Sequence, residues 1–269
     1  MGGTPLDEHH YLIRGGLAGR ERLRLLGRVM QPTTLALLER AGVGPGLRCL
    51  DVGCGGGDVT RELARLAAPS GHAVGVDLDP TKVDLARTES AGVANVEYRV
   101  GDVMAGVGDE EYDVVYARFV LTHLRDPGAA VEQLRAALRP GGRLIVEDID
   151  FQGSFCDPES APFERYEEIY TQTAQRLGGD PHIGIRIPAL LVAAGLRHVR
   201  PHVVQPAGLE GEVKLLPALT LLNIKAMAVR HEVATADEVD RLVEDLYAVA
   251  QDPLTYVGNP RIVQVWGDR

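Results

Sequence analysis

Leu50-Asp51-Val52-Gly53-Cys54-Gly55-Gly56-Gly57-Asp58 is the stretch that decides the fold. It continues a short apolar run, Arg48–Val52, and opens a segment, Asp58–Ala67, whose apolar residues recur at helical spacing. Glycines at a strand-to-helix turn let the backbone reverse sharply and approach a bound molecule closely. A nicotinamide-dinucleotide fingerprint would need G-x-G-x-x-G/A, with the pyrophosphate on the helix N-terminus. Counted from Gly53 the last position is Asp58, and counted from Gly55 it is Thr60, so neither register fits. Asp58 would also set a carboxylate against that pyrophosphate. No Gly-Lys-Ser/Thr follows, which excludes a P-loop. What remains is an acid followed by alternate glycines, Asp51, Gly53, Gly55 and Gly57, a loop suited to a cationic, phosphate-free ligand.

The flanking chain alternates between two kinds of segment. Short apolar runs at His72–Asp77, Val96–Val100, 112–116 and 143–148 read as strands, and 80–90 and 128–138 read as helices, the second closed by a turn at Pro140-Gly141-Gly142. Apolar runs of this length between helices indicate strands buried on both faces, hence a parallel sheet in a doubly wound α/β fold. Upstream, 17–41 is helical in pattern, and Pro32 is expected to divide it into two helices. Downstream, helices are expected over 162–177, 188–194 and 212–230, and a capping box at Thr235 opens another that runs to Gln251. Strands are expected at Arg197–Val204 and 261–266, so two helices are inserted between the last two strands. These and the N-terminal helices are expected to cover the carboxyl edge of the sheet, where such folds bind ligands. The expected organisation is one domain in three parts: a helical N-terminal part over 1–46, a ligand-binding core over 47–150, and the end of the sheet with its helical insertions over 151–269.

The acid-and-glycine loop resembles motif I of the class I S-adenosylmethionine-dependent methyltransferases, and four further segments match that family in order. Asp77 ends the second strand 20 residues after Gly57. Gly101-Asp102-Val103 follows the third strand, 112–121 (YDVVYARFVL) resembles the fourth motif, and 138–146 (LRPGGRLIV) resembles the fifth. The resemblance covers 48–148 and implies a Rossmann-like, seven-stranded, mostly parallel sheet with an antiparallel last strand. It implies S-adenosylmethionine as cofactor, bound by Asp51, Gly53, Cys54 and Gly55 on the loop, by Asp77 and Leu78 at the ribose, and by Asp102 and Val103 at the adenine. Arg118 and Phe119 of the fourth motif, and Tyr11 in an N-terminal segment that often folds over the cofactor, complete the expected binding set.

A histidine soon after the fourth strand, His123 in Leu-Thr-His-Leu-Arg-Asp-Pro, resembles the small-molecule methyltransferases of ubiquinone and menaquinone biosynthesis. An imidazole with its ordinary pKa of about 6.5 suits a general base, and Asp150 is a second candidate. Their structural alternatives are a histidine that closes the pocket and a solvated strand-end carboxylate. Methyl transfer from a sulfonium needs mainly alignment and exclusion of water, so a base is required only if the acceptor still carries a proton. The fourth strand is followed by Ala117-Arg118-Phe119-Val120, not the Asn/Asp-Pro-Pro-aromatic run of amino-methylating enzymes, and no Pro-Cys dipeptide marks a cytosine-C5 enzyme. Glu147, Asp148 and Asp150 cluster after the fifth strand; solvated carboxylates are the preferred reading, and no metal is expected.

The chain has 269 residues, 38 acidic against 28 basic, for a net charge of -10. An acidic chain repels phosphate backbones, which favours a small-molecule substrate over nucleic acid. Three cysteines without a CxxC pair fit a reducing compartment. Residues 1–11 lack the apolar core of a signal peptide, and 215–229 is interrupted by Pro217, Asn223 and Lys225, so a cytoplasmic protein without membrane association is expected. The apolar helix over 215–229 reads as a lid or as a surface for a second copy of the chain. The expected activity is methyl transfer to an oxygen, nitrogen or carbon nucleophile in secondary or quinone-type metabolism. The alternatives are a cofactor-dependent isomerisation, decarboxylation or cyclisation, and a macromolecule methyltransferase.

Overall fold

The computed structural model describes residues 17–108 and 111–269. Its first half follows the expected alternation: α1 Leu17–Arg40, β1 Arg48–Val52, α2 Asp58–Ala67, β2 His72–Asp77, α3 Pro80–Glu89, β3 Val96–Val100, β4 Tyr112–Arg118, α4 Pro127–Ala137 and β5 Leu138–Asp150. The second half comprises β6 Phe155–Asp157, α5 Ala161–Arg176, α6 Ile187–Ala193, β7 Arg197–Val204, β8 Ala207–Gly208, α7 Leu216–Arg230, α8 Ala236–Gln251, β9 Tyr256–Gly258 and β10 Arg261–Asp268. Seven strands form one sheet in the order β3-β2-β1-β4-β5-β10-β7, with β10 antiparallel to both neighbours. The chain leaves β1 outward through β2 and β3 and returns to β4, which makes the β1/β4 boundary the switch point where a crevice opens.

Strand periodicity explains why both faces are covered. Along β4, Val115 and Ala117 pack toward α4 and α6, whereas Val114 and Tyr116 pack toward α1 and α2. On the first face Leu134 and Leu191 meet Leu50 and Leu144; on the second Leu37, Leu38 and Leu63 meet Cys49 and Ile145. A third cluster lies beyond the carboxyl ends of the strands, where Ile149 and Phe151 meet Met30 of α1, Phe163 and Ile169 of α5, Leu221 of α7 and Val243 of α8. The helices after β5 therefore build a cover over the crevice, joined by the N-terminal half of α1. Among the described residues, no helix is long and apolar enough to cross a membrane.

Three expectations need correction. Pro32 lies inside one continuous helix, α1, and does not divide it. A mid-helix proline forfeits one hydrogen bond and crowds the preceding turn. Here Thr33 Oγ1 donates to the Met30 carbonyl at 3.0 Å and Gln264 Nε2 donates to the Thr33 carbonyl at 3.2 Å. Burial on both sides of the proline, at Met30 and at Leu37 and Leu38, holds the two halves in line. Pro140-Gly141-Gly142 is a bulge within β5, not the turn that ends α4: the β4 register jumps from Tyr112↔Leu138 to Val114↔Arg143. Finally, a second sheet, β6-β9-β8, was not expected at all. Strands of two or three residues are too short to show an alternating pattern.

Candidate active site

The glycine loop has the conformation its composition demands. Gly53, Gly55 and Gly57 all lie at positive φ, at 72°, 53° and 75°. A Cβ on Gly53 would stand 2.4 Å from Val120 Cγ2, so the loop after β1 and the segment after β4 are pressed together at the switch point. A Cβ on Gly55 would meet nothing nearer than Leu23 at 3.8 Å. Its side faces open space.

Carboxylates surround the loop. Asp51 is buried beneath it and accepts from Thr60 Oγ1 at 2.6 Å. Burial pushes this carboxyl up to about 7, with Asp58 and Asp77 adding to the rise while Thr60 and Arg118 oppose it. Asp77 Oδ2 accepts the Gly55 N–H and Oδ1 the Asp79 N–H, both at 2.9 Å. Each oxygen keeps a lone pair for a further donor, which is what two adjacent ribose hydroxyls require. Cys54 is buried and burial raises its thiol pKa, so it acts as loop packing against Val83, Ala86 and Tyr98, not as a nucleophile.

Arg118, at the end of β4, pairs with Asp58 Oδ2 at 2.6 Å, bonds Thr34 Oγ1 at 3.3 Å and sits 5.8 Å from the Phe119 ring centre. Burial opposes its charge, but Asp58, Tyr116 and Glu147 outweigh it and hold the guanidinium protonated. Phe119 itself adopts φ 56°, unusual for a residue with a side chain, and its N–H donates to the Glu147 carbonyl at 2.9 Å. That strained turn directs the chain into the short helical segment Leu121–His123. Asp148 supports the segment from below: Oδ2 accepts the Thr122 N–H at 3.1 Å and Oδ1 the Ile149 N–H at 2.8 Å. Thr122 and Asp180 exchange two further hydrogen bonds, both at 3.0 Å. His123 is thus held by β5 and by the loop before α6. Its imidazole is pulled down to about 3, first by burial, then by the charges of Lys82 and Arg22.

One cleft of about 1030 Å³, counted to its open mouth, collects these groups. Gly53, Cys54, Gly55, Asp77, Arg118, Phe119 and His123 all line it, and Asp51 lies directly behind the loop. Leu78, Asp102 and Val103 do not line this cleft but sit next to it, at the ends of β2 and β3: Gly101 N–H bonds the Asp77 carbonyl, and Asp102 accepts from the Met104 N–H at 2.8 Å. Leu78, after β2, and Met104, after β3, each leave 40% of their surface exposed. Tyr11 falls outside the described residues.

Asp150 does not reach the cleft. Its carboxylate is fully buried among Arg261 Nη2 at 2.6 Å, the Gln152 N–H at 3.2 Å and His182 Nδ1 at 3.3 Å. Strand alternation and local partners separate the three acids of β5. Glu147 accepts from Thr34, Tyr116 and Gln264, Asp148 from the Leu121–His123 segment, and Asp150 from Arg261. Tyr166 and Tyr170, one helical face in the sequence, do line the cleft, and Tyr170 stacks on Phe151 at 4.1 Å between ring centres. Arg22, Lys82, Thr122, Thr220 and Asn259 also line it without any sequence signal that marked them, apart from the scarcity of lysine.

The donor set fits S-adenosylmethionine. Carboxylates surround the loop, the backbone approach at Gly55 is open, and exposed apolar side chains, Leu78 and Met104, follow the two strands that end at Asp77 and Val100. Comparison with known proteins agrees: residues 44–178, half of the chain, match the family of the methyltransferase domain. The chain belongs to that family, the class I S-adenosylmethionine-dependent methyltransferases. Relatives include the ubiquinone/menaquinone biosynthesis C-methyltransferase of Vibrio campbellii, 29% identical over 133 residues, which are 48% of this chain and 51% of that protein. The chain spans about half the length of the first relatives it matches. Among solved structures, phosphoethanolamine N-methyltransferase 2 of Haemonchus contortus, bound to phosphomonomethylethanolamine and S-adenosylhomocysteine, aligns over 92% of this chain and 57% of its own, with TM-score 0.59 and 18% identity. The [4+2]-cyclase SpnF aligns over 98% of this chain and 89% of its own, with TM-score 0.53 and 18% identity. These two similarities establish a shared fold.

Proposed function

We propose that this methyltransferase-family chain methylates an oxygen, nitrogen or carbon nucleophile of a small molecule of secondary or quinone-type metabolism. The observation that carries this reading is the single cleft in which the glycine loop and Asp77 face an apolar cover made by Phe151, Tyr166 and Tyr170. When bound, S-adenosylmethionine would supply a methyl group on a sulfonium, whose sulfur would keep the bonding pair as an electron pair of the acceptor bonds the methyl carbon. The residues of the chain then have three tasks. Gly53, Cys54, Gly55, Asp77, Leu78, Asp102 and Val103 bind the cofactor. Phe119, with its strained backbone, and the cover position the acceptor and exclude water, which is where most of the rate comes from in an in-line displacement. His123 hydrogen-bonds the acceptor. As a neutral, weak base it takes a proton only once methylation has made the acceptor acidic. Asp150 is assigned no chemical step.

The acidic balance of the chain supports a small acceptor over nucleic acid, and three cysteines without a CxxC pair support a cytoplasmic place for the protein. A second copy of the chain against α7, where Leu222 and Val229 are exposed, is the partner this reading admits. Incubation with methyl-labelled S-adenosylmethionine and a panel of phenols, amines and enols is the test. Stoichiometric S-adenosylhomocysteine and labelled product are expected. A second reading, a cyclisation or decarboxylation in which the cofactor is not consumed, is favoured by the weak basicity of His123. Product formation without S-adenosylhomocysteine would establish it and defeat methyl transfer.

A further inference from the structure

The turn between β9 and β10, Gly258-Asn259-Pro260, brings one polar side chain to the wall of the cleft. Asn259 is 4% exposed and lines it beside Pro206, Leu216, Pro260 and Ile262. Its backbone is held at both ends. The N–H donates to the Pro206 carbonyl at 2.9 Å. The carbonyl accepts from Gln205 Nε2 at 2.8 Å, and the same Nε2 donates to the Gly153 carbonyl at 2.6 Å, which ties the turn to the chain just after β5. In the side chain, Nδ2 donates to the Val213 carbonyl at 2.8 Å. A carbonyl accepts only from the amino side of a carboxamide, so this bond fixes which way the amide points. The remaining atom, Oδ1, accepts no hydrogen bond from any described residue. Nor is it among the sealed, unpartnered polar atoms of the interior, so it is reached from the space its residue lines. Neighbouring hydroxyls of the lining are already engaged: Thr122 Oγ1 donates to the Asp180 carbonyl and Thr220 Oγ1 accepts from Arg22.

Sheet order says which ligand this oxygen serves. β10 is antiparallel to β5, and its first residue, Arg261, pairs with Asp150 at the carboxyl end of β5, so the turn before it stands on the ligand side of the sheet. β10 is two strands beyond β4, away from β1 and β2. With about 4.8 Å between neighbouring strands, the turn is about 10 Å from the end of β4 and about 14 Å from that of β1. The cofactor residues follow β1, β2 and β3, so Asn259 belongs to the acceptor's half of the cleft. Resting on the methyltransferase reading, we propose that Asn259 is a specificity-determining residue: its Oδ1 accepts a hydrogen bond from the acceptor, which is an apolar, ring-bearing molecule with an O–H or N–H donor remote from the atom that is methylated. An amide already fixed by its other bonds loses no freedom when the acceptor binds. An apolar ligand without the donor would cover Oδ1 and leave it unpaired, and that penalty discriminates more strongly than the bond attracts. The stacked Phe151–Tyr170 pair and the Ile262 side chain then select for apolar area without directional demands.

The test uses the full chain saturated with S-adenosylhomocysteine and two matched pairs of probes, 4-hydroxybiphenyl with 4-methoxybiphenyl and 2-naphthol with 2-methoxynaphthalene. Within a pair the rings are the same and only the hydroxy compound can donate. The unaltered chain is expected to bind the hydroxy member about tenfold or more tightly than its ether in at least one pair, the worth of one buried hydrogen bond. N259A is expected to erase that preference and to leave S-adenosylhomocysteine affinity within about twofold. N259D keeps an oxygen in place of Oδ1 and should keep the preference. The preference is a ratio between two ligands of one protein, so a general loosening of the fold cancels from it. Equal affinity for the two members in the unaltered chain, binding of neither, or a preference that survives N259A would overturn the proposal. So would a loss of S-adenosylhomocysteine affinity in N259A, because the turn would then serve the cofactor. Absence of S-adenosylhomocysteine binding by the unaltered chain would instead refute the methyltransferase reading, and the role of Asn259 with it.

Discussion

Replacing Gly53 or Gly55 with alanine separates two reasons for a glycine that sequence alone cannot tell apart. Both sit in the left-handed region, at φ 72° and 53°. An alanine there costs about 1–2 kcal/mol, partly offset by about 0.4–1 kcal/mol of lost unfolded-state freedom. The surroundings differ. At position 53 the new methyl lies 2.4 Å from Val120 Cγ2, whereas at 55 it meets only Leu23 at 3.8 Å. Overpacking adds about 1–3 kcal/mol, and only at 53. G53A is therefore expected to lose about 2–4 kcal/mol in urea unfolding and G55A about 1 kcal/mol. Adding V120A to G53A removes the close contact and should recover the overpacking part, leaving the backbone cost and the small cavity of the truncated valine. The order reverses for cofactor binding. The methyl of G55A projects into the open side of the loop and should weaken S-adenosylhomocysteine tenfold or more in titration calorimetry despite a nearly native fold. Equal destabilisation by G53A and G55A, or unimpaired binding in G55A, would refute this account of the loop.

Other consequences follow from the same geometry. Glu147 is fully buried and accepts from Thr34 at 2.9 Å, Tyr116 at 2.5 Å and Gln264 at 2.6 Å, so E147A strands three donors and should cost about 3 kcal/mol or more in unfolding experiments, E147Q clearly less. F119G should relieve the strain of φ 56° and be more stable than F119A by about 1 kcal/mol, yet both should lose turnover equally if the ring positions the acceptor; unequal turnover would argue against that role. Stability should fall as pH rises between about 4 and 7. Burial holds protons on Asp51 and Asp148 up to about 7 against an ordinary 3.8, so the folded chain keeps protons that the unfolded chain sheds. His123 works in the opposite sense, because the unfolded chain protonates it below its ordinary 6.5 while the folded chain holds it neutral down to about 3. Two carboxyls outweigh one histidine, so the slope stays negative near pH 5.5, and H123Q, which removes the opposing contribution, should make it steeper. An unchanged slope in denaturant titrations of H123Q would contradict the assignment.

The cofactor half was legible because its chemistry is local. The glycine loop, the strand-end Asp77 and Asp102 and the apolar runs between helices all announce themselves within a few residues, and β1, α2, β2 and β3 begin and end as expected. Errors arose where distant partners decide the outcome. Pro32 reads as a helix boundary until Gln264, more than two hundred residues away, is seen to bond the carbonyl of Thr33. Asp150 and His123 looked equivalent as strand-end or post-strand polar residues. Only the packing of Arg261 and His182 on one, and of Asp148 beneath the segment carrying the other, separates a buried anchor from a residue facing the cleft. Arg22 was one arginine among several on a helix, and Lys82 one polar position in another. That both line the cleft depends on how distant helices pack around the loop, which no periodicity encodes. The short strands β6, β8 and β9 that close the cover lack any pattern because they are too brief to have one.

Calorimetric titration of the full chain with S-adenosylhomocysteine and, separately, with NAD tests the central claim most directly. The proposed function calls for one site for S-adenosylhomocysteine per chain, none for NAD, and a loss of about tenfold or more in D77A, which removes the two oxygens proposed to accept from the ribose hydroxyls. Binding of NAD, or S-adenosylhomocysteine affinity indifferent to D77A, would contradict it.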